Sequence, residues 1–452
     1  MNHSLTEGTP WKKILSFMFP VFMGLLLQQL YNTVDTIIVG NFAGEDLLAA
    51  VGACGVPVMA FLALANGFSA GVCVLISQLF GAGETEQMRR QASTSILLML
   101  GMGIAATFVG IFTGGFALKY ILDTPEELLE VSVEYFKIYA AGMIFQFGYN
   151  IIAAVLRGIG DSKATLYFLL IASVINVALD ILFVCNMDMG VAGAAVATDI
   201  AQAVSCAAGF VYMMIKYPIF RWKLKEWTFE SKLAKLSLKK GFPMALQQLI
   251  VSVGFTFIQR AVNSYGGAMT ASFTVAQKIE TYMTLPASAL MTTQGTYTGQ
   301  NIGAGKLDRV ITGAKHTVVI SEVISVCILT IAFIFAEPIV TAFGLGEEAV
   351  GYCTAHVRCV AFCLIPFAAY FPLLGLFQGA DDALYSTLVA SSALAIRVES
   401  TYALQMIPAI SYRMIWWNAL FDWGLGFIIT WTHFLHGKWK RKVYLDNDET
   451  AP

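Results

Sequence analysis

The chain has 452 residues, of which 57% are hydrophobic and only 13% are charged, and its formal net charge is −2. Soluble domains usually carry roughly 25% charged residues, so this chain has too few charges to cover the surface of one or two soluble domains. The composition therefore excludes a soluble protein and indicates one that is embedded in a membrane.

The first half of the chain contains six segments that are long and apolar enough to cross a bilayer. A crossing needs about 20 mostly apolar residues. The six segments lie at about 15–39, 55–79, 94–122, 132–156, 164–186 and 190–215. We predict that residues 1–215 form one lobe of six transmembrane helices.

The longest polar break in the chain follows, from Lys216 to Lys240. It is rich in basic residues, namely Arg221, Lys223, Lys225, Lys232, Lys235, Lys239 and Lys240. The composition predicts an amphipathic connector over residues 216–240, lying on the membrane surface between the two halves of the chain.

The second half also contains six apolar segments, at about 243–265, 269–297, 312–342, 351–377, 384–407 and 413–436. We predict a second lobe over residues 241–442 and a polar tail over residues 443–452. The predicted fold class is therefore an all-α polytopic membrane protein with twelve transmembrane helices.

The two halves repeat the same pattern about 222 residues apart. The matched positions are Phe19-Pro20 with Phe242-Pro243, Asn41 with Asn263, Gly44 with Gly266, Ala49 with Ala271, Gln78-x-x-Gly81-Ala82-Gly83 with Gln300-x-x-Gly303-Ala304-Gly305, Tyr149 with Tyr370, and Asp161 with Asp382. Six is an even number, so both repeats enter the membrane in the same direction and are related by an axis along the membrane normal. Two such parallel lobes are expected to enclose a central cleft, as transporters do.

Basic residues predict the orientation, because they are retained on the cytoplasmic side. With the N-terminus inside, the inner segments hold Lys12, Lys13, Arg89, Arg90, Arg157, Lys163, the basic residues of the connector, Lys306, Arg309, Lys315, and Lys438 to Lys442. The outer turns are acidic, with Glu45-Asp46, Asp123, Glu126-Glu127, Asp188 and Glu347-Glu348. Both termini are therefore predicted to be cytoplasmic.

Two aspartates in the first half lie where a bilayer should not tolerate them. Asp35 and Asp180 both fall in outward-running helices, at similar depth in the outer half of the membrane. An ionisable group inside a span costs at least a few kcal/mol, so each needs a reason to be there. We interpret Asp199, the third acid of these spans, as a helix-packing partner.

Neutral polar residues gather around the two acids at helical spacing. Gln28, Tyr31 and Asp35 share one helix face, Asn176 lies one turn before Asp180, and Asn150 and Thr198 fall at compatible depths. These oxygens suit Na⁺, whereas two neighbouring carboxyls that resist joint ionisation suit proton exchange. The sequence leaves both ions open. Alternatively, these groups only hydrogen-bond the helices together, as polar residues in membranes do.

The second half lacks this acidic pair. Phe257 stands at the position of Asp35 and Thr401 at the position of Asp180. Its spans instead contain a different set of charges, which includes Arg260, Lys278, Glu280 and Arg397. These residues either line the cleft and bind substrate or neutralise one another, and we predict that Arg260 pairs with Glu280.

The two glycine-containing turns do not predict a phosphate-binding loop. Gln78–Gly83 and Gln300–Gly305 lack the GxGxxG and Walker spacings and follow membrane spans instead of strands. We interpret them as tight cytoplasmic helix ends. No other segment suggests ATP hydrolysis, so transport is expected to be driven by an ion gradient.

The order of these motifs resembles the multidrug and toxic compound extrusion (MATE) family. The resemblance covers about residues 10–442 and is carried by Pro20, the run Gln28–Gly40, Gln78…Gly81-Ala82-Gly83, and Gln300-Asn301-Ile302-Gly303-Ala304-Gly305-Lys306-x-x-Arg309. It implies two six-helix lobes, alternating access, and export of organic compounds in exchange for Na⁺ or H⁺.

The resemblance also implies a cation site in the first lobe. The family's ligands match Asp35, Asn176, Asp180 and Thr198, and Asn150 matches a polar residue near the same pocket. Some relatives carry acidic ligands in the seventh and tenth helices as well. This chain has Gln247 and Gln248 in its seventh span and no carboxylate in the core of its tenth, so a second-lobe site of that kind is not expected.

We expect a secondary active exporter of amphipathic, often cationic compounds, in the inner membrane of a prokaryote. The alternative within transport is a flippase for lipid-linked oligosaccharides, which should have a more cationic cleft and extra spans. An enzyme is not expected, because the chain has no HExxH motif and no Cys/His pairing. No cofactor beyond Na⁺ or H⁺, no nucleic acid and no second subunit is expected.

Overall fold

A computed structural model describes residues 4–38, 50–407 and 412–440 of the chain. Almost all of these residues are helical, and no strand occurs among them. The repeat positions Asn41, Gly44 and Ala49, the acidic turn Glu45-Asp46 and the polar tail lie outside the described residues.

The described first half contains seven α-helices, which correspond to the six predicted spans. They are α1 Pro10–Ile38, α2 Gly55–Ala82, α3 Thr85–Phe116, α4 Glu126–Ala141, α5 Met143–Gly158, α6 Ser162–Asp180 and α7 Gly190–Lys216. Helices α3 and α6 each continue into a short π-helix, Ala117–Ile121 and Ile181–Asn186. Helices α4 and α5 make one span that bends by 44°.

The described second half contains six α-helices, one for each predicted span. They are α8 Ser231–Asn263, α9 Gly267–Gly303, α10 Leu307–Thr341, α11 Glu347–Gly379, α12 Ala383–Leu404 and α13 Arg413–His436. Helix α8 begins at Ser231, inside the predicted connector. The intervening residues form two short 3₁₀ turns, Pro218–Phe220 and Leu224–Glu226. The basic residues after Ser231 therefore belong to the first turns of α8.

Eight of the described helices are long and apolar enough to cross a membrane by composition, and nine if the bent pair α4–α5 counts as one span. Helices α9, α12 and α13 fall short of that measure because they are less apolar: α9 is rich in Thr, Ser and Gln, and α12 and α13 contain charged residues such as Arg397 and Asp422. Their lengths are nevertheless sufficient, since the shortest has 22 residues and so extends about 33 Å.

The chain forms two compact units. The first comprises the described residues of Met1–Ser4 and Met23–Ala245, and the second those of Leu5–Phe22 and Leu246–Pro452. The connector thus belongs to the first unit, whereas the first turns of α1 belong to the second. Each unit has an apolar core, centred in the first on residues such as Val155 and Leu156 and in the second on residues such as Leu374 and Phe377.

The glycine-containing turns are helix ends, as predicted. Helix α2 ends at Ala82, and Gly83 follows with a left-handed φ of 76° that closes the helix. Gly305 follows α9 with φ of 69°. Only glycine adopts this conformation without strain.

The helix after each of these turns binds a neighbouring segment of the same unit. In the first unit, Arg89 donates to Glu226 of the connector at 2.6 Å. In the second unit, the Arg309 guanidinium donates to the backbone oxygens of Leu5, Glu7 and Gly8 at 2.7–3.1 Å. An arginine near the start of the next helix therefore binds the connector in the first unit and the N-terminal segment in the second.

Glycines allow α9 and α11 of the second unit to touch backbone to backbone. Gly375 and Gly379 lie one turn apart on α11 and face Gly295 and Met291 of α9, and a Cβ on Gly375 would overlap the Met291 carbonyl. Small residues spaced by four bring helices together in membranes, where apolar burial gives little drive for helix association.

We expect Gly375→Val to destabilise the second unit, because the backbone atoms of α9 cannot move away cheaply. Overpacking of this kind costs about 1–3 kcal/mol. Thermal unfolding of the purified protein in detergent should show a lower midpoint. The matched control is Gly424→Val on α13, where a Cβ meets nothing within 4 Å. Equal midpoints for the two variants would contradict the packing described.

Asp161, which precedes α6 outside the membrane spans, organises one end of the first unit. Its Oδ1 accepts the Ala164 N–H at 3.2 Å and caps α6, while its Oδ2 accepts hydrogen bonds from Tyr212, Lys216 and Tyr217 at 2.6–3.0 Å. Burial by itself raises the pKa of Asp161, but the hydrogen bonds from Tyr217, Lys216 and Tyr212 outweigh burial and hold this pKa below its usual range.

Because the pKa is depressed in the folded state, the charge of Asp161 stabilises the fold above the unfolded-state pKa of about 3.9. This contribution is lost as the pH falls through the folded-state pKa. We therefore expect Asp161→Asn to lower the unfolding midpoint by about the same amount at pH 7 and at pH 5. The difference in midpoint between the variant and the unsubstituted protein should shrink only below about pH 4. The exposed Asp308 provides the control Asp308→Asn. A deficit that does not change with pH would show that the charge is not responsible.

Candidate functional site

The two predicted acids meet in the first unit. Asp35 lies one turn before the described end of α1, and Asp180 is the fully buried last residue of α6. Their carboxyl groups lie close enough to each other to interact electrostatically. Two ionised carboxylates offer only acceptors, so a hydrogen bond between them requires a proton. Two carboxyl groups in this arrangement can share a proton or bind one cation together.

Neither acid is neutralised by a donor from the described part of the chain. Both oxygens of Asp180 and the Oδ1 of Asp35 are buried and accept no hydrogen bond from a described donor. Buried polar atoms in folded proteins are nearly always paired. Three such oxygens close together indicate a site whose ligand comes from outside the chain.

A small cavity lies beside the acids. Its volume is about 10 Å³, and its lining residues are Tyr31, Ala172, Ser173, Asn176, Thr198, Ala201 and Gln202. A water molecule needs about that much room, and a monovalent ion is of similar size. Tyr31 joins the cavity to the acids, since its hydroxyl is close enough to Asp35 and Asp180 to interact electrostatically.

Two of the four predicted cation ligands, Asn176 and Thr198, line this cavity, and the other two, Asp35 and Asp180, lie beside it. Asn176 donates to the Thr198 hydroxyl at 3.3 Å, which leaves its own Oδ1 buried and unpaired by the described residues. Carboxylate, amide and hydroxyl oxygens are the ligands of hard cations.

Two predicted neighbours of this site do not line the cavity. Asn150 is buried, and its side-chain amide donates to the Gln146 carbonyl of its own helix at 2.9 Å. This amide therefore bonds within its own helix. Gln28 lies half-buried one turn before Tyr31. Helical spacing predicted that both residues lie near the acidic pair. Spacing along a helix does not, however, show whether a side chain reaches the cavity.

The sequence interpretation missed several residues of the site. Ser173 and Gln202 line the cavity, and Tyr139 of α4 interacts electrostatically with Tyr31 and Asp35. Helical spacing could have found the first two, because Ser173 lies three residues before Asn176 and Gln202 lies four after Thr198.

Asp199 acts in packing, in agreement with its interpretation from sequence. Its carboxylate accepts the backbone N–H of Gly142, at the bend between α4 and α5. A Cβ on Gly142 would overlap this carboxylate, so the bend requires glycine.

The candidates in the second unit behave differently from one another. Glu280 accepts from Arg397 at 3.3 Å, whereas Arg260 and Lys278 are exposed. The predicted pair of Arg260 with Glu280 is therefore wrong. Arg397 is the deeper group, since it projects from the apolar helix α12 and is only 2% exposed.

Comparison with known proteins gives a consistent result. The model of the MatE family matches residues 20–182 and 243–402, one stretch in each half of the chain. The "Probable multidrug resistance protein YpnP" of Bacillus subtilis (strain 168) is 31% identical over 381 residues, which cover 84% of either chain. The "Probable multidrug resistance protein NorM" of Thermotoga maritima is 22% identical over 450 residues, or 97% of this chain and 95% of that relative.

Solved structures share the fold. A crystal structure of MATE in complex with MaL6 superposes with a TM-score of 0.91 at 24% identity and covers 97% of this chain and 98% of the other. The outward-facing conformation of a multidrug resistance MATE family transporter gives a TM-score of 0.90 at 24% identity, with the same coverage. The predicted fold class, twelve helices in two lobes, is thereby confirmed. On the match of both halves to the family model and the identity to its curated relatives, this chain is a multi-pass membrane protein that belongs to the MATE family of transporters.

Proposed function

We propose that this protein is a secondary active exporter that releases organic compounds in exchange for Na⁺ or H⁺ by alternating access. The observation that carries the proposal is the pair Asp35 and Asp180, whose buried oxygens have no donor among the described residues. The substrate class is taken from relatives named as multidrug resistance and export proteins. It comprises amphipathic, often cationic compounds.

The coupling follows from the cost of burying charge. An empty, ionised pair would place two negative charges together in a low-dielectric interior, and this state is costly. A proton or Na⁺ neutralises the pair and allows α1, α6 and α7 to close around it. The first unit therefore has a different preferred packing with and without the ion, and a ligand that binds one packing better shifts the population toward it.

The direction of exchange follows from the side on which the ion binds. We propose that the ion reaches the pair from outside, where the gradient favours binding, and that the closed first unit then disfavours the substrate and releases it. On the inside the ion leaves, and a new substrate enters. The loop charges support an orientation with both termini in the cytoplasm, because the basic residues lie at the ends of the spans predicted to face inward.

The first test is substitution of the acids. Asp35→Asn and Asp180→Asn should each reduce efflux in a drug-accumulation assay to the level of cells without the transporter, because an amide cannot bind or release the ion. The amount of protein in the membrane, followed by immunoblot, should stay the same. Asp188→Asn is the control, since Asp188 is an exposed acid beyond the end of the same helix. Full efflux by both acid variants would remove the pair from the mechanism.

The second test separates the driving forces. Proteoliposomes containing the purified protein are given an inward Na⁺ gradient at equal pH, or an inward proton gradient without Na⁺. At least one gradient should drive substrate out of the liposomes against its own concentration difference, and that efflux should disappear with Asp180→Asn. Transport that ignores both gradients would contradict ion-coupled exchange.

A further inference from the structure

Arg397 is bound inside the second unit in the way that a receptor binds an organic cation. Its guanidinium lies 3.3 Å from Glu280 of α9 and 3.8 Å from Asp422 of α13. Its Nε donates to the Asn418 side chain at 3.1 Å. The rings of Phe255 and Trp423 face it, with their centroids 5.2 and 5.8 Å away. Carboxylates and aromatic faces together make a complete cation site.

The internal repeat shows what stands at this position in the first unit. Asp161 accepts from Tyr212, and 221 residues later Asp382 is bonded to His433. The same offset relates both partners, so it fixes the register in which α6 and α7 correspond to α12 and α13. At this offset Asn176 corresponds to Arg397, and Ala201 corresponds to Asp422.

Those two positions in the first unit line the small cavity beside the acidic pair. In the second unit, long charged side chains replace the amide of Asn176 and the methyl group of Ala201. The guanidinium of Arg397 and the carboxylate of Asp422 thus occupy the region of the second unit that corresponds to the cavity of the first unit.

We propose that Arg397 is a tethered cation, which permanently fills in the second unit the position that an exchangeable ion fills in the first. The comparison with an exchangeable ion rests on the proposed function. The role of Arg397 as the internal ligand of a cation site in the second unit is independent of the proposed function. The second unit is then always in its occupied state, and only the first responds to the ion gradient.

The charge balance explains why the guanidinium is needed. Glu280 and Asp422 are each about 7% exposed, and the second oxygen of Glu280 has no partner among the described residues. Without Arg397, the carboxyl groups of Glu280 and Asp422, which are close enough to interact electrostatically, would be left together in a membrane-embedded core. Removing one partner of a buried pair is strongly destabilising, because it leaves charge uncompensated. A free cation of the same shape should be able to replace the missing group.

The test is chemical rescue of Arg397→Ala. We expect the variant to lower the midpoint of thermal unfolding of the purified protein by about 10 °C. Millimolar guanidinium chloride should restore at least half of this loss. Urea, which has the same shape without the charge, should restore none. Arg260→Ala, which removes an exposed arginine of α8, should lose little stability and respond to neither compound. Rescue by urea as large as by guanidinium, or no rescue by either, would overturn the proposal.

A double variant keeps the test decisive if Arg397→Ala alone does not fold. Arg397→Ala with Glu280→Gln has one carboxylate fewer to compensate and should recover monodisperse protein with a higher midpoint than the single variant. Adding Asp422→Asn should abolish any response to guanidinium. A double variant no better than the single one would show that the guanidinium does not act by balancing these charges.

These measurements need neither substrate nor gradient, so their outcome is separate from that of the transport assays. Loss of coupling in Asp180→Asn together with no rescue of Arg397→Ala would retain the proposed function and reject the tethered cation. Rescue of Arg397→Ala with unchanged transport in Asp180→Asn would do the reverse.

Discussion

The cost of placing charge inside a bilayer is the constraint on which the rest of this structure depends. Apolar helices can be buried freely, but an aspartate or an arginine in a span must be neutralised by something nearby. Each unit contains a polar cluster at a corresponding place in its bundle. In the first unit the cluster is acidic and next to a cavity, whereas in the second unit it contains its own cation.

Duplication followed by divergence accounts for this difference. The scaffold residues of the two halves remain matched, as in Asp161 and Asp382, which precede α6 and α12, and the glycine turns at Gly83 and Gly305. The membrane interior has diverged, so that Asn176 and Asp180 correspond to Arg397 and Thr401. An ion that neutralises one cluster only would couple the gradient to one unit, while the other serves as a rigid partner.

The fold could be predicted from the sequence to a large extent, because bilayer thickness fixes the length of a span and turns lie between spans. The start of α8 could not, since basic residues after Ser231 suggest a surface segment even where they begin a helix. Helical spacing brought Asp35, Asp180, Asn176 and Thr198 to one place. It failed for the pair predicted between Arg260 and Glu280, because spacing along one helix does not say which neighbouring helix is faced.

The most direct test of the central claim is to observe the carboxyl pair itself by infrared difference spectroscopy of the purified protein. We expect the absorption of a protonated carboxylic acid to disappear when the pH is raised or Na⁺ is added, and carboxylate absorption to appear. Asp35→Asn and Asp180→Asn should lack this change, whereas Asp188→Asn should retain it. A carboxyl signal that is unaffected by pH, by Na⁺ and by both acid substitutions would contradict an exchangeable ion at this pair.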